Sequence, residues 1–165
     1  MKASNLSELY IAKLRDLHDS SCQVIDTLPK SARCAQSKPL SDLFKGVLDS
    51  TKAQKSRLSD IFEELEEKPT GGECKVTEFL GKHLSDPKVH AEGPIYDAAM
   101  ADAMGGIQRH LISGYGSALS YAKALGNDSQ TILLKQTLNE LHTSSKSLLG
   151  LVPGVLESET PVPAG

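Results

Sequence analysis

The sequence predicts an all-α fold, a four-helix bundle in which two helical hairpins are joined by a long crossover. Three observations lead to this prediction. Apolar residues recur at helical spacing along four long segments, and no run alternates apolar and polar residues as a half-buried strand does. Breaker residues separate the segments, with the longest connection between the second and the third. Aromatic residues make up only 4% of the chain, so the core is expected to be mainly aliphatic.

The first long helix is predicted over residues 6–28, where Ser4 or Asn5 can supply the N-cap. Its apolar side chains fall on one helical face, and Ser21 lies in the middle of that face. Pro29 is expected to end the helix or to lie in its last turn, because proline lacks the backbone N–H that a helix interior uses.

The second long helix is predicted over residues 41–67, with Ser41 as its N-cap. Its apolar stripe is interrupted between Leu48 and Leu58 by the polar run DSTKAQKSR. This gap covers about two and a half helical turns in the middle of the helix, where the core of a bundle should be driest. The acidic residues near the far end are interpreted as a solvated helix terminus: Glu63, Glu64, Glu66 and Glu67.

The crossover opens with the break PTGG at residues 69–72, followed by a short helix predicted over residues 75–84. The third long helix is predicted over residues 94–125 and ends at Gly126. It carries four glycines: Gly105, Gly106, Gly114 and Gly116. Because glycine weakens a helix interior, we expect either a close approach to a neighbouring helix or a kink at the first two.

The fourth long helix is predicted over residues 129–151, with Asp128 or Ser129 as its cap and a stop at Pro153 and Gly154. The bundle is therefore expected to span residues 4–152 as one domain. Residues 153–165 contain two further prolines and are expected to form a disordered tail.

Composition excludes several classes of function. The formal net charge is −3, which argues against nucleic-acid binding because that requires a basic face. No apolar run approaches the ~20 residues that cross a bilayer, and residues 1–10 contain no apolar signal-peptide core, so a cytoplasmic protein is expected. Cys22, Cys34 and Cys74 are odd in number and widely spaced, which indicates reduced thiols.

Two hairpins with a long crossover are typical of the ferritin-like version of the four-helix bundle. With the helices placed, residues 4–152 resemble the small bacterial ferritin-like proteins of the YciE/YciF type. The resemblance rests on LHDSSCQVIDTLPK at residues 17–30, SRLSDIFEELEEKPTGGEC at residues 56–74 and LLKQTLNE at residues 133–140. Asp97 also matches the start of the family's third helix, and Tyr115 and Gly116 match its Tyr-Gly pair.

The resemblance implies a pair of metal ions held by carboxylates and His from all four helices. The chain departs from that pattern at six of the seven aligned positions, which we call the former metal positions: Ser21, Ser50, Gln54, Gln108, Leu111, Glu140 and Leu141. Only Glu140 is acidic, whereas two cations in a core need several anionic oxygens. The Ser and Gln side chains are expected to hydrogen-bond one another or a water.

The sequence therefore favours a non-catalytic bundle without metal or other cofactor, acting as a structural or protein-interaction component. The resemblance implies a role in bacterial stress response and a homodimer. No catalytic residue is assigned, because the chain has no G-x-S-x-G motif and the glycines of GGIQRHLISGYG follow no strand.

Two alternatives stay open. The first is a ferritin-like oxidoreductase or metal store that uses Fe or Mn, including a site rebuilt from Glu140 and a His of another helix. The five histidines show no H-x-x-H or H-x-x-x-H spacing, and we interpret them as surface or boundary residues: His18, His83, His90, His110 and His142. The second is a binder of a small ligand, because Ser in place of Glu removes volume from the bundle centre.

Overall fold

The computed structural model describes residues 3–87 and 92–157 of the chain. Within them the chain forms five α-helices and no strand: α1 Leu6–Cys34, α2 Lys38–Glu64, α3 Lys75–Ser85, α4 Pro94–Ala124 and α5 Asp128–Leu156. Helices α1 and α2 pack as one hairpin, and α4 and α5 pack as the other. The hairpins meet through α1 against α4 and α2 against α5, while the short helix α3 covers α1 and α4. The predicted all-α bundle with a crossover helix is confirmed.

The first helix is longer than the sequence predicted. Pro29 lies inside α1, and the helix continues to Cys34. Ser31 and Ala32, which follow the proline, are both buried in the bundle. Their burial favours continuing the helix past Pro29 despite the hydrogen bond that the proline cannot donate. The expected end at residue 28 is therefore wrong by about two turns.

The second helix begins one turn earlier than expected. Ser37, not Ser41, is the N-cap and accepts a hydrogen bond from the amide of Leu40, with Pro39 in the first turn. The Ser41 hydroxyl instead donates to the carbonyl of Ala32 at 2.7 Å, which ties α2 back to α1. The helix also ends at Glu64, so Glu66 and Glu67 of the acidic cluster lie beyond it.

A buried carboxylate joins the turn between α1 and α2 to the start of α4. Asp97, only 1% exposed, accepts hydrogen bonds from the amides of Gln36 and Ser37 at 2.8 and 2.7 Å. Two backbone donors satisfy the charge that burial would otherwise leave uncompensated. This contact fixes one end of the first hairpin against the second.

The last helix also passes through a proline. Helix α5 continues through Pro153 to Leu156, so the predicted stop at Pro153 and Gly154 is wrong. Pro153 removes the hydrogen bond to the carbonyl of Leu149, and Leu149 is exposed, so water can replace the missing donor. The tail was expected to be disordered, and its residues 158–165 lie outside the described residues.

Two of the four glycines of α4, Gly106 and Gly114, lie where other helices approach closely. Helix α4 is uninterrupted through Gly105 and Gly106, which favours close approach over the kink. A Cβ at Gly106 would lie 3.1 Å from a methyl of Leu80, and one at Gly114 would lie 2.8 Å from a methyl of Leu17. A side chain at Gly114 would therefore require Leu17 of α1 to move, and one at Gly106 would press against Leu80 of α3.

The core is built mainly from aliphatic side chains, as the composition predicts. The largest buried side chains are a few aromatics surrounded by leucines: Tyr10, Tyr115, Phe44, Phe62, Leu14, Leu17, Leu28, Leu40 and Leu58. Tyr10 donates from its buried hydroxyl to the side-chain carbonyl of Gln130 at 2.8 Å. Among the described helices, none has both the length and the apolar character that crossing a membrane requires.

Candidate functional site

The seven former metal positions lie in the middle of the four long helices. Helix α1 contributes Ser21, α2 contributes Ser50 and Gln54, α4 contributes Gln108 and Leu111, and α5 contributes Glu140 and Leu141. Five of them are buried, whereas Ser50 and Glu140 are half-buried. The site is therefore not evenly dry, because the α2–α5 side of the bundle reaches solvent.

The remaining carboxylate of the site is paired with an arginine. The guanidinium of Arg57 on α2 donates two hydrogen bonds to the carboxylate of Glu140 on α5, at 2.6 and 2.8 Å. The same guanidinium donates to Thr137 at 3.1 Å, and the amide of Gln54 donates to Glu140 at 3.4 Å. Such a bidentate pair satisfies both carboxylate oxygens and fixes their direction.

The environment of Glu140 keeps its carboxylate ionised. Burial by itself raises the pKa of Glu140, but the hydrogen bonds from Arg57 and Gln136 outweigh burial, and the pKa is lowered. The Arg57 side chain is 17% exposed and that of Glu140 is 34% exposed, so the pair is only partly screened by water. The positive charge next to Glu140 is thus a fixed property of the site, since Arg does not lose its proton.

The neutral residues of the site were expected to hydrogen-bond one another or a water, and the structure shows no hydrogen bond between any two of them. The Ser21 hydroxyl donates to the carbonyl of Leu17 at 2.9 Å. The amide of Gln108 donates to the hydroxyl of Ser144 at 2.8 Å, while its carbonyl oxygen has no partner among the described residues. Ser50 lines an open groove of about 740 Å³ between α2 and α5, together with Glu140 and Ser144.

A tyrosine occupies the interior next to Ser21. Tyr115 on α4 is fully buried, and burial raises the pKa of its hydroxyl, while the nearby Ser21 hydroxyl and the Arg57 charge partly offset that rise. The Tyr115 hydroxyl makes no hydrogen bond of normal geometry to any described residue. The hydroxyl of Tyr115 therefore lies near Ser21 and Glu140, two of the former metal positions.

The residues present do not fit a di-metal centre. Divalent cations of this kind require several carboxylate or imidazole ligands, whereas this site offers one carboxylate that already pairs with Arg57. Ser21 and Gln108 are neutral, and Leu111 and Leu141 offer no donor atom. Over residues 3–87 and 92–157, no group of three or more His, Cys, Asp and Glu side chains is placed to hold a metal ion.

The histidines make contacts away from Glu140. His18 packs edge-on against Phe62, His83 hydrogen-bonds the carbonyl of Phe79, and His110 contacts the thiol of Cys74. His142 is exposed on α5. The rebuilt site from Glu140 and a His therefore finds no support in these contacts, and His90 lies outside the described residues.

Comparison with known proteins places the chain in a family. The family model described as a domain of unknown function, DUF892, matches residues 5–160. The chain belongs to this family. Protein YciF of Escherichia coli (strain K12) is 28% identical over 142 residues, which cover 85% of this chain and 86% of YciF. The resemblance to the YciE/YciF type is thereby confirmed.

Solved structures agree with this family and with the fold. The crystal structure of the E. coli stress protein YciF matches with a TM-score of 0.88 and 25% identity, covering 93% of this chain and 98% of that one. YcfI, a proposed structural protein from Rhodopseudomonas palustris, matches with a TM-score of 0.83 and 27% identity, covering 88% and 94%. A ferritin-like, diiron-carboxylate protein from Bacillus anthracis str. Ames matches with a TM-score of 0.72, 13% identity and coverage of 91% and 99%. The last shows the fold alone, and the ferritin-like fold is confirmed.

Sequence reasoning missed the residue that decides the chemistry of the site. Arg57 lies at the end of the polar run of α2, three residues after Gln54, so the two share a helical face. That spacing is a signal that Arg57 points in the same direction as the former metal positions. It does not indicate which acid on another helix meets the guanidinium.

Proposed function

We propose that this chain is a non-catalytic ferritin-like bundle that has lost the di-metal centre of related bundles and acts as a stress-associated structural or protein-interaction component. The observation that carries the proposal is the pair between Arg57 and Glu140, with oxygen–nitrogen distances of 2.6 and 2.8 Å. The Arg57 guanidinium takes over part of the role of a metal ion, because its positive charge neutralises the Glu140 carboxylate.

The charge balance of the site argues against a metal ion. An ion that bound Glu140 would have to displace Arg57 and would then lie close to a permanent positive charge. Bringing two like charges together in a partly desolvated interior is costly, since water screens them poorly there. Neutral Ser21 and Gln108 supply no negative charge to offset that cost.

The named relatives support the assignment to a stress-associated, structural role. One is called a stress protein and another is a proposed structural protein, and both align with most of this chain. A homodimer in the cytoplasm, without nucleic-acid partners, is part of the proposal, and the net charge of −3 is consistent with the last point. A small ligand in the bundle centre has less support, because Ser21, Gln54 and Gln108 already donate to protein atoms.

Elemental analysis of the full chain tests the loss of the metal centre. We would purify the protein from cells supplied with Fe and Mn, beside the variants Glu140→Ala and Glu63→Ala. Glu63 is an exposed carboxylate of α2 and controls for adventitious binding. We expect substoichiometric metal that neither substitution changes. Two equivalents of Fe or Mn per chain, lost in Glu140→Ala alone, would instead establish a metal-binding oxidoreductase or store.

A double-mutant cycle tests whether the ion pair takes over the site. Arg57→Gln and Glu140→Gln each leave one charge without its partner, so each variant should lower the free energy of unfolding in urea. The double variant should be more stable than the sum of the two losses predicts, because no unpaired charge remains. Additive losses would show that the two side chains do not depend on each other.

Sedimentation velocity of the wild-type protein tests the proposed homodimer. We expect a dimer, and a monomer would contradict that part of the proposal.

A further inference from the structure

A cysteine and a histidine from distant parts of the chain meet at a pocket that none of the former metal positions lines. Cys74 directly precedes α3, and His110 lies in the middle of α4. The Cys74 sulfur lies 3.2 Å from Nε2 of His110 and 3.3 Å from the Thr77 hydroxyl oxygen. Because Cys74 caps α3 and His110 belongs to α4, which packs against α3, this contact is a product of the fold and not of local sequence.

The backbone of Cys74 is held firmly in place. Its amide donates to the Asp19 carboxylate on α1 at 2.7 Å, and its carbonyl accepts from the Gln23 amide at 3.3 Å. Cys74 is only 6% exposed, so its sulfur cannot rotate freely into solvent. The sulfur therefore stays beside the imidazole, as a pre-organised pair requires.

The surroundings favour the ionised form of this thiol. Burial alone raises the pKa of Cys74, but hydrogen bonds, of which the largest effect comes from His110, outweigh burial and lower the pKa from 9.0 to about 6. The hydrogen bond to Cys74 in turn raises the pKa of His110, partly opposed by burial. The start of α3 adds positive potential near the sulfur.

A small pocket leads to the pair. It has a volume of about 200 Å³, and both Cys74 and His110 line it. The charged groups that face it come from both sides: Lys13 and Asp16 of α1, Glu73 before α3 and Lys75 at the start of α3. This volume is below the roughly 300–1,000 Å³ of pockets for drug-sized ligands, so only a small reagent can reach the sulfur.

The other two cysteines differ from Cys74 in this respect. Cys22 has a histidine neighbour, but its sulfur lies 3.9 Å from Nδ1 of His18, and burial lowers the pKa of that histidine. Cys34 makes no side-chain hydrogen bond to any described residue. Neither thiol is held against a histidine whose protonated form is stabilised.

We propose that Cys74 and His110 form a reactive thiolate–imidazolium pair that hydrogen peroxide oxidises to a sulfenic acid. The thiolate sulfur attacks one peroxide oxygen, and a sulfur–oxygen bond forms as the oxygen–oxygen bond breaks. Sulfur loses two electrons and the peroxide is reduced, while the His110 proton passes to the departing hydroxide to give water. The products are Cys74 sulfenic acid, one water and neutral His110. The inference does not depend on the fate of the metal site.

Peptide mapping of the wild-type chain is the first test. The reduced full chain is treated with hydrogen peroxide, sulfenic acid is trapped with dimedone, and the labelled peptides are quantified by mass spectrometry. We expect Cys74 to be labelled at least about tenfold faster than Cys22 and Cys34, which serve as controls within the same molecule. Equal labelling of the three cysteines, or labelling that spares Cys74, would overturn the proposal.

The pH profile of alkylation tests the part played by His110. With iodoacetamide, the rate at Cys74 should rise with pH along a titration near pH 6 in the wild type. In His110→Gln the titration of Cys74 should move up by about two pH units, towards the range of a thiol without a cationic neighbour. The variant should then react about five- to tenfold more slowly at pH 6, after allowing for the higher intrinsic reactivity of a more basic thiolate. At pH 9 the variant should be the faster of the two.

A matched variant separates this effect from general loosening of the fold. His18→Gln removes the histidine next to Cys22 and should leave the Cys74 profile unchanged. If His110→Gln loosened the fold, the alkylation rates of Cys22 and Cys34 would increase as well. The dimedone labelling of the wild-type chain would then decide whether Cys74 is the reactive thiol. If the Cys74 alkylation rate depended on pH in the same way in the wild type and in a folded His110→Gln variant, a role for the imidazole would be contradicted.

Discussion

Two glycines on one helix are expected to respond in opposite ways to the same substitution. Gly114 and Gly116 both lie inside α4, but only the first faces a close neighbour. A Cβ at Gly114 would lie 2.8 Å from a methyl of Leu17, whereas one at Gly116 would meet nothing within 4 Å. Leu17 is itself only 2% exposed, so it has little room to move away.

The size of the difference follows from these contacts. Replacing Gly by Ala in a helix interior stabilises by up to about 1 kcal/mol, and both variants share that gain. Forcing an extra methyl into a packed core costs about 1–3 kcal/mol, and only Gly114→Ala carries that cost. Gly116→Ala should therefore be more stable than wild type, and it should exceed Gly114→Ala by about 1–3 kcal/mol.

Urea unfolding followed by far-UV circular dichroism measures this difference, with unchanged m-values as the condition for comparing free energies. Leu17→Val removes the methyl that the new Cβ would meet, so Gly114→Ala should cost less in that background than in the wild type. If Gly114→Ala were as stable as Gly116→Ala, the close approach of α1 and α4 would not explain the glycine. A variant pair with equal midpoints would therefore refute the reasoning.

Three further outcomes are expected. In Asp97→Asn, an NH₂ group replaces one of the two carboxylate oxygens that accept hydrogen bonds from the amides of Gln36 and Ser37. This variant should lower the free energy of unfolding in urea by about 1–3 kcal/mol. Tyr10→Phe should lower it by about 1 kcal/mol, whereas Tyr115→Phe should be neutral or stabilising because that hydroxyl has no hydrogen-bond partner among the described residues. The folded-state pKa of Glu140 is lowered from 4.5, so its contribution to stability is present above pH 4.5 and is lost as the pH falls through the lowered value. Glu140→Gln should therefore lose less stability on acidification than the wild type, as pH-dependent thermal unfolding can show.

Helix positions were predictable from the sequence to different degrees. The short helix α3 and the third long helix end within one residue of the predicted positions, because their breakers coincide with their ends. The prediction failed at Pro29 and Pro153, where the rule that proline ends a helix was applied locally. At Pro29, burial of the turn that follows outweighs the missing hydrogen bond. At Pro153, the carbonyl without a donor belongs to Leu149, which is exposed to water.

The residue types at the former metal positions were known from the sequence. Ser21, Gln108 and Leu111 are not carboxylates in any conformation, so the sequence alone argues against a family-type metal centre. The partners of the remaining polar groups were not predictable. The Ser and Gln side chains were expected to hydrogen-bond one another or a water, whereas Ser21, Gln54 and Gln108 donate to other protein atoms, such as the Leu17 carbonyl for Ser21.

The sequence by itself determined which side of each helix is apolar and faces the interior of the bundle, because a period of 3.6 residues assigns the sides without knowledge of any partner. It also determined that one acid, Glu140, remains among the former metal positions. Only the tertiary structure decided that Arg57 meets that acid and that His110 meets Cys74. Those contacts join residues 83 and 36 positions apart, and they depend on how far one helix slides and rotates against another. That register results from packing the whole core at once, so no local pattern in the chain encodes it.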